Sequence, residues 1–224
     1  MDATIVKVGG SLASYPEKLR TLCTKLSEFS KKHKMMVVPG GGEFADTVRS
    51  LDKRFNLSPV VSHRMAILAM DQYGLLLSDL LPHSSIIDNF ENVQKTLDLD
   101  KLPVFLPSNF LFHENPLANS WDVTSDSIAV YIAQQLDAKR VILITDVNGV
   151  YTSDPKKFSD AKLTSQLSAQ ELLEMKKRTS VDKFLPKLLL QSKIRCFVVN
   201  GFYPERVEAV LDNRDTVCTL LSRP

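Results

Sequence analysis

The chain has 224 residues, of which 44% are hydrophobic and 24% charged, and its formal net charge is +2. That length supplies one large domain, or two small ones, with a sizeable core, and the balanced, dispersed charge argues against a nucleic-acid surface. Cys23, Cys196 and Cys218 are too few and too far apart for a disulfide framework or a zinc site, and no apolar run is long enough to span a membrane; both fit the reducing cytoplasm.

The N-terminus lacks the pattern of a secretory signal. Residues 3–8 read as a buried strand. Residues 16–29 read as a helix, because Leu19, Leu22, Cys23, Leu26 and Phe29 share one stripe and Pro16 suits a first turn. The basic run KKHK at 31–34 reads as the solvated end of that helix. A strand at 35–38 ends at Pro39 and a triple glycine. Helices follow at 43–55 and 62–81, then strands at 85–87 and 104–106. Residues 110–119 have no clean period and contain Pro116, so they read as a loop or hairpin. The alternation resumes with a helix at 126–136, a β-branched strand at 140–144 and helices at 167–175 and 184–192. A strand at 196–199, a helix at 205–211 and a strand at 217–221 complete the chain. Apolar strands alternating with helices predict a mainly parallel sheet covered on both faces, in one α/β domain with two lobes.

Five of the eight glycines, Gly9, Gly10, Gly40, Gly41 and Gly42, form two clusters between a strand and a helix. Glycine lets backbone approach a ligand closely, and a helix N-terminus presents free N–H groups. Two such turns from one parallel sheet meet at its carboxyl edge, where open α/β folds bind ligands. A single cluster is explained as a tight turn. Two clusters, one carrying Lys7 and Ser11, point to phosphate. Neither has the spacing of a P-loop or of a dinucleotide fingerprint. In SWDVTSDSIA, Asp122 or Thr124 suits N-capping, while Asp126, just inside an apolar helix, calls for a cationic partner. ITDVNGVYTSDP follows the most apolar strand and reads as turns, well placed for a nucleotide base and ribose.

KVGGS, PGGG, TSDSIA, TDVNGVYTSDP and PKL, in that order along the chain, resemble the amino-acid kinase family, which includes acetylglutamate, uridylate, carbamate and isopentenyl phosphate kinases. The resemblance implies a three-layer α/β/α sandwich and transfer of the γ-phosphoryl of ATP, with Mg²⁺ held through the ATP phosphates. It implies that Lys7 neutralises the travelling phosphoryl group, that Asp126 holds the active-site lysines, and that Lys187 is the second lysine. Lys183 competes with Lys187 for that role, because SVDKFLPK stands where the family often has Gly-Gly-Met. Gly9, Gly10 and Ser11 match the ATP-phosphate turn. Thr145, Asp146, Val150, Tyr151, Asp154 and Pro155 match the nucleotide segment. Gly40, Gly41 and Gly42 face the acceptor. The acceptor lobe is expected at about 1–120 and the nucleotide lobe at about 121–224, in a cytoplasmic, homo-oligomeric enzyme.

The acceptor loop is GGGEFAD, with Asp46 where isopentenyl phosphate kinases resemble GGGSFGH. An acid repels phosphate and attracts ammonium. GGGEFAD, SHRMA, MDQYG and VNGFYPERV resemble a short subgroup of the family from methanogenic archaea. Its acceptor, in methanofuran biosynthesis, is a furan-methyl phosphate bearing a primary amine. That substrate suggests Asp46 for the ammonium, Trp121 for stacking on the ring, and His63, Asp71 and Asp122 as further contacts. The bland readings are a core Trp121, a capping His63 and a surface Asp46. An anionic phosphate acceptor needs no general base. The competing readings are a kinase for another small phosphate, such as isopentenyl phosphate or UMP, and a non-catalytic nucleotide- or oxyanion-binding protein.

Overall fold

The computed structural model describes every residue except 1, 2, 115, 154, 156, 176–178 and 224. Strand β1 (Thr4–Val8) leads through a 3-10 turn (Gly10–Ser14) into α1 (Pro16–Ser30), and β2 (Met35–Pro39) into α2 (Gly42–Phe55) and α3 (Pro59–Leu80). Next come β3 (Ser84–Ile87), α4 (Glu91–Asp98), β4 (Leu102–Phe105), α5 (Ser108–Glu114) and α6 (Ser125–Gln135). The second half holds β5 (Arg140–Thr145), β6 (Val150–Tyr151), β7 (Leu163–Thr164), β8 (Gln166–Ser168), α7 (Ala169–Glu174) and α8 (Leu185–Leu190). It closes with β9 (Arg195–Asn200), α9 (Pro204–Leu211) and β10 (Thr219–Ser222).

Eight strands form one sheet in the order β3-β4-β2-β1-β5-β9-β10-β8, and β6 and β7 make a separate antiparallel pair. Every neighbour in the large sheet is parallel except β9 and β10. The strand period of two divides the core. Ile5, Met36, Val141 and Leu143 pack with Ile128 and Ile132 of α6 and Leu185 and Leu189 of α8. Val6, Val37, Ile142 and Ile144 pack on the other face with Leu19, Leu22 and Leu26 of α1 and Val207 of α9. The expected three-layer α/β/α sandwich is what forms. Among the described residues no helix is long and apolar enough to cross a membrane.

Three expectations change. Residues 110–119 are not simply a loop: α5 covers Ser108–Glu114, held by Phe110 against Phe90 and Phe105 and by buried Leu111. Helix α4 has no counterpart in the sequence reading; only Val93 and Thr96 are buried in it, too few to set a period. The helix expected from residue 167 starts at Ala169, because Ser168 and Glu171 form a capping box after a short edge strand.

Candidate active site

Strand parity places the central lysine. Ile5 belongs to the core face that packs on α6, so Lys7, two residues on, points to the same face. There it meets the first turn of α6: Lys7 Nζ lies 2.7 Å from Asp126 Oδ1, and both residues are 7% exposed. The sequence demanded a cation for Asp126, and this is the cation.

The two glycine turns touch. The Gly9 N–H donates to Ile144 O and the Gly40 N–H to Val8 O, each at 2.8 Å, which ties both turns to the central strands. A Cβ at Gly10 would stand 2.1 Å from Gly42 N, and one at Gly40 2.6 Å from Gly10 N. No other residue permits that approach of backbone to backbone. Gly42 itself has φ +55° at the entry of α2. Gly41 follows the same rule, with a Cβ falling 2.4 Å from that of Ala45. Buried Tyr73 donates its hydroxyl to Gly9 O at 3.3 Å, from the acceptor-side helix α3. Ser11 sits exposed on the 3-10 turn. The two turns read from the sequence therefore pack backbone on backbone, just past the strand that carries Lys7.

On the nucleotide side, Thr145 ends β5 and its hydroxyl donates to Asp146 at 3.3 Å. Gly149 has φ +151°, and a Cβ there would stand 2.3 Å from Thr219 Oγ1, the atom that accepts from the Val150 N–H at 2.8 Å. Val150 is buried and Tyr151 half-buried in the β6–β7 pair; Pro155 is exposed, and Asp154 lies outside the described residues. Asn148 is fixed by Asn200 and Arg206, whose side chains donate to its Oδ1 at 3.0 and 2.7 Å.

The second lysine is not gathered with the first. Lys187 is exposed on α8, its Nζ 5.5 Å from the Phe184 ring centre, and Lys183 pairs with Asp122 at 3.2 Å, both partners exposed. The residue that does reach α6 from this stretch is Asp182, which the sequence reading passed over. It accepts hydrogen bonds from Thr124, Ser127, Phe184 and Leu185. Burial pushes its carboxyl up, the Asp126 charge adds to this, and the bonds from Ser127 and Thr124 oppose it. The signal was present as an acid shortly before a helix with Pro in its first turn.

The acceptor-side residues divide. Asp46 projects from the exposed face of α2 and pairs with Arg49 at 2.8 Å. The Arg49 guanidinium lies 4.7 Å from the Trp121 ring centre, and Trp121 Nε1 donates to Asp52 at 2.7 Å. So Asp46 and Trp121 share one polar chain along α2. A cavity of about 310 Å³ opens beside it, lined by Asp52, Leu57, Ser62, Asn119, Trp121 and Asp122. His63 is buried in α3, and desolvation lowers its pKa, which favours the neutral ring. Asp71 accepts from the Ser108 N–H at 3.3 Å and so pins the start of α5; burial raises its pKa. Among the described residues no three His, Cys, Asp or Glu side chains group as metal ligands.

A buried lysine–aspartate pair beneath two interlocked glycine turns, at the carboxyl edge of a parallel sheet, defines a class of phosphate-handling α/β proteins. The chain belongs to the Amino acid kinase family, whose profile matches residues 2–200. It is 37% identical to a [5-(aminomethyl)furan-3-yl]methyl phosphate kinase from Methanocaldococcus jannaschii, over 96% of this chain and 95% of that one. It is 28% identical to a uridylate kinase from Methanococcus aeolicus, over 82% of this chain and 80% of that one. The crystal structure of uridylate kinase from Archaeoglobus fulgidus superposes with a TM-score of 0.77 at 23% identity, covering 98% of this chain and 100% of that one. The family resemblance read from KVGGS, PGGG and TSDSIA is borne out over residues 2–200.

Proposed function

We propose that the protein is an ATP-dependent kinase that phosphorylates a small phosphomonoester to a diphosphate, and that its acceptor is [5-(aminomethyl)furan-3-yl]methyl phosphate. The observation that carries the reading is Lys7, buried at 2.7 Å from Asp126 beneath the joined Gly10 and Gly42 backbones. Phosphoryl transfer asks the protein for positioning and charge neutralisation more than for covalent chemistry. Gly9, Gly10 and Ser11 would bind the ATP phosphates; glycine at 9 and 10 lets this turn pack directly on the Ile144 and Gly42 backbone, at the carboxyl edge of the sheet. Thr145, Asp146, Val150, Tyr151, Asp154 and Pro155 would line the nucleotide. Mg²⁺ would arrive on the phosphates and neutralise them. Gly40, Gly41 and Gly42 would face the acceptor, whose own phosphate is the nucleophile.

The acceptor is argued from the cavity beside α2. It offers the Asp52 and Asp122 carboxylates and the Trp121 indole, which suit an ammonium carried on an aromatic ring. Asp46 stands on the same polar chain. Asp71 and His63 would bound the acceptor from α3. We assign acceptor binding to about residues 1–120 and nucleotide binding to about 121–224. We also expect a homo-oligomer, since α3 leaves Val61, Leu68 and Leu75 exposed on one stripe. ADP release should be measured with the aminomethylfuran phosphate, UMP and isopentenyl phosphate in parallel. The reading requires the highest kcat/KM with the amine-bearing acceptor. Preference for UMP would return the chain to the uridylate kinase pattern, and no acceptor-dependent ADP would favour a binding protein.

A further inference from the structure

We infer that Asp182 is a positioning residue for this phosphoryl transfer: it binds the first turns of α6 and α8 to each other and so fixes where Asp126 holds Lys7. The inference rests on the kinase reading above. The geometry is that of one carboxylate capping two helices. Asp182 Oδ2 accepts from the Thr124 N–H, the Thr124 hydroxyl and the Ser127 N–H, each at 2.9 Å. Its Oδ1 accepts from the Ser127 hydroxyl at 2.5 Å, the Leu185 N–H at 2.8 Å and the Phe184 N–H at 3.1 Å. Neither helix caps itself: Thr124 and Phe184, the residues before α6 and α8, make no side-chain cap bond. One side chain thus meets the Thr124 and Ser127 N–H groups at the start of α6 and the Phe184 and Leu185 N–H groups at the start of α8.

Asp126 lies between Thr124, the residue before α6, and Ser127 in its first turn, both held by Asp182. Its backbone is therefore fixed on both sides, and its carboxylate can meet a lysine that comes from another element, β1. Burial raises the pKa of Cys196, the Asp126 and Asp182 charges add to this, and Lys7 opposes it. Two carboxylates against one lysine would repel there, but Asp182 spends its charge on six donors and leaves Lys7 to Asp126. The same segment also reaches the nucleotide turn, where the Ser180 hydroxyl donates to Gly149 O at 2.9 Å. Asp182 thus links the nucleotide side of the site to the lysine that serves the travelling phosphoryl group.

The test pairs kinetics with crystallography on the full chain, wild type against Asp182→Asn. The amide keeps the volume but turns an N–H₂ toward donors. We expect kcat to fall about 10²-fold, the scale of a misplacement near 1 Å, with acceptor KM changed less than about threefold. We expect the Lys7–Asp126 separation to open past about 4 Å, the limit of an ion pair. A kcat within about twofold of wild type, with only a lower unfolding midpoint, would reduce Asp182 to a plain cap and overturn the inference. A wild type that makes no acceptor-dependent ADP defeats the kinase reading instead; the crystallographic separation then still decides the positioning claim, and an unchanged ion pair overturns it. If Asp182→Asn does not fold, Ser127→Ala takes its place, since it removes one donor and leaves the backbone bonds. A kcat loss of about tenfold at constant acceptor KM supports the inference, and an unchanged kcat refutes it.

Discussion

Lys7→Met is the most direct perturbation of the site, because it removes the charge and keeps most of the volume. Lys7 and Asp126 stand 2.7 Å apart, which at an effective dielectric constant near 20 is about 6 kcal/mol of attraction. Desolvation offsets much of that, so the pair itself adds little net stability. Breaking it is different. Asp126 is left buried and alone, at a cost of about 3–5 kcal/mol, or roughly 6–20 °C in the unfolding midpoint of a domain this size. The double variant Lys7→Met/Asp126→Asn removes the orphaned charge and should recover most of that stability. Activity should not follow: kcat should stay about 10³-fold down in both variants, because the phosphoryl group has lost its lysine. Thermal unfolding and an ADP-coupled assay read the two effects separately. A double variant as unstable as the single one would refute the buried-pair argument. A single variant with near-normal kcat would refute the role of Lys7 in transfer.

Gly10→Ala forces a Cβ to within 2.1 Å of Gly42 N, so the two turns must part; kcat/KM should drop about 10²-fold, and unaltered kinetics would show that the turns act independently. Trp121→Phe removes the indole donor to Asp52, and should raise acceptor KM about tenfold while ATP KM holds; a change in ATP KM alone would place Trp121 outside the acceptor site. Burial lowers His63 in the folded state, so its contribution to stability is present above its unfolded value near 6.5 and is lost as pH falls through the folded value. Wild type should therefore lose stability relative to His63→Gln on acidification. A flat difference between about pH 7 and 5 would show that desolvation of His63 is not at work.

The mainly parallel sheet was legible because its strands are unbroken apolar runs alternating with helices, the pattern of a sheet covered on both faces. Asp126 stood out because it is an ion in a stretch that has no room for an unpaired one, and Lys7 because it stands beside the first glycine cluster. The glycines were legible because their value lies in a missing side chain, which composition alone reveals. Asp182 was legible only as a local cap of α8, through Phe184 and Leu185; its bonds to Thr124 and Ser127 span 58 and 55 residues, and no periodicity records a cap supplied from that distance. Helix α5 was hidden for the same kind of reason: its stability comes from Phe110 on Phe90 and Phe105, a contact between three elements. The acceptor contacts fall between these cases. Asp46 was readable as an acid in the acceptor loop, but its pairing with Arg49, and through Arg49 with Trp121, is a matter of helix-surface geometry.

Charge counting separates the two candidate lysines. Lys7 is already paired with Asp126, so the triphosphate and the acceptor phosphate together would require further cations. Mg²⁺ would supply one and a nucleotide-side lysine another. Lys183 is held by Asp122, which also lines the acceptor cavity, and moving it would cost that exposed pair well under 1 kcal/mol. Lys187 sits in the first turn of α8, the turn that Asp182 ties to α6, and among the described residues its Nζ contacts the Phe184 ring. We therefore propose Lys187 as the lysine that meets the nucleotide and Lys183, through Asp122, as the one that shapes the acceptor side. Lys187→Ala should lower kcat/KM for ATP about 10²-fold and leave acceptor KM nearly constant. Lys183→Ala should free Asp122 and change acceptor KM, with ATP kinetics within about threefold of wild type. The reverse pattern would reassign the second lysine to Lys183.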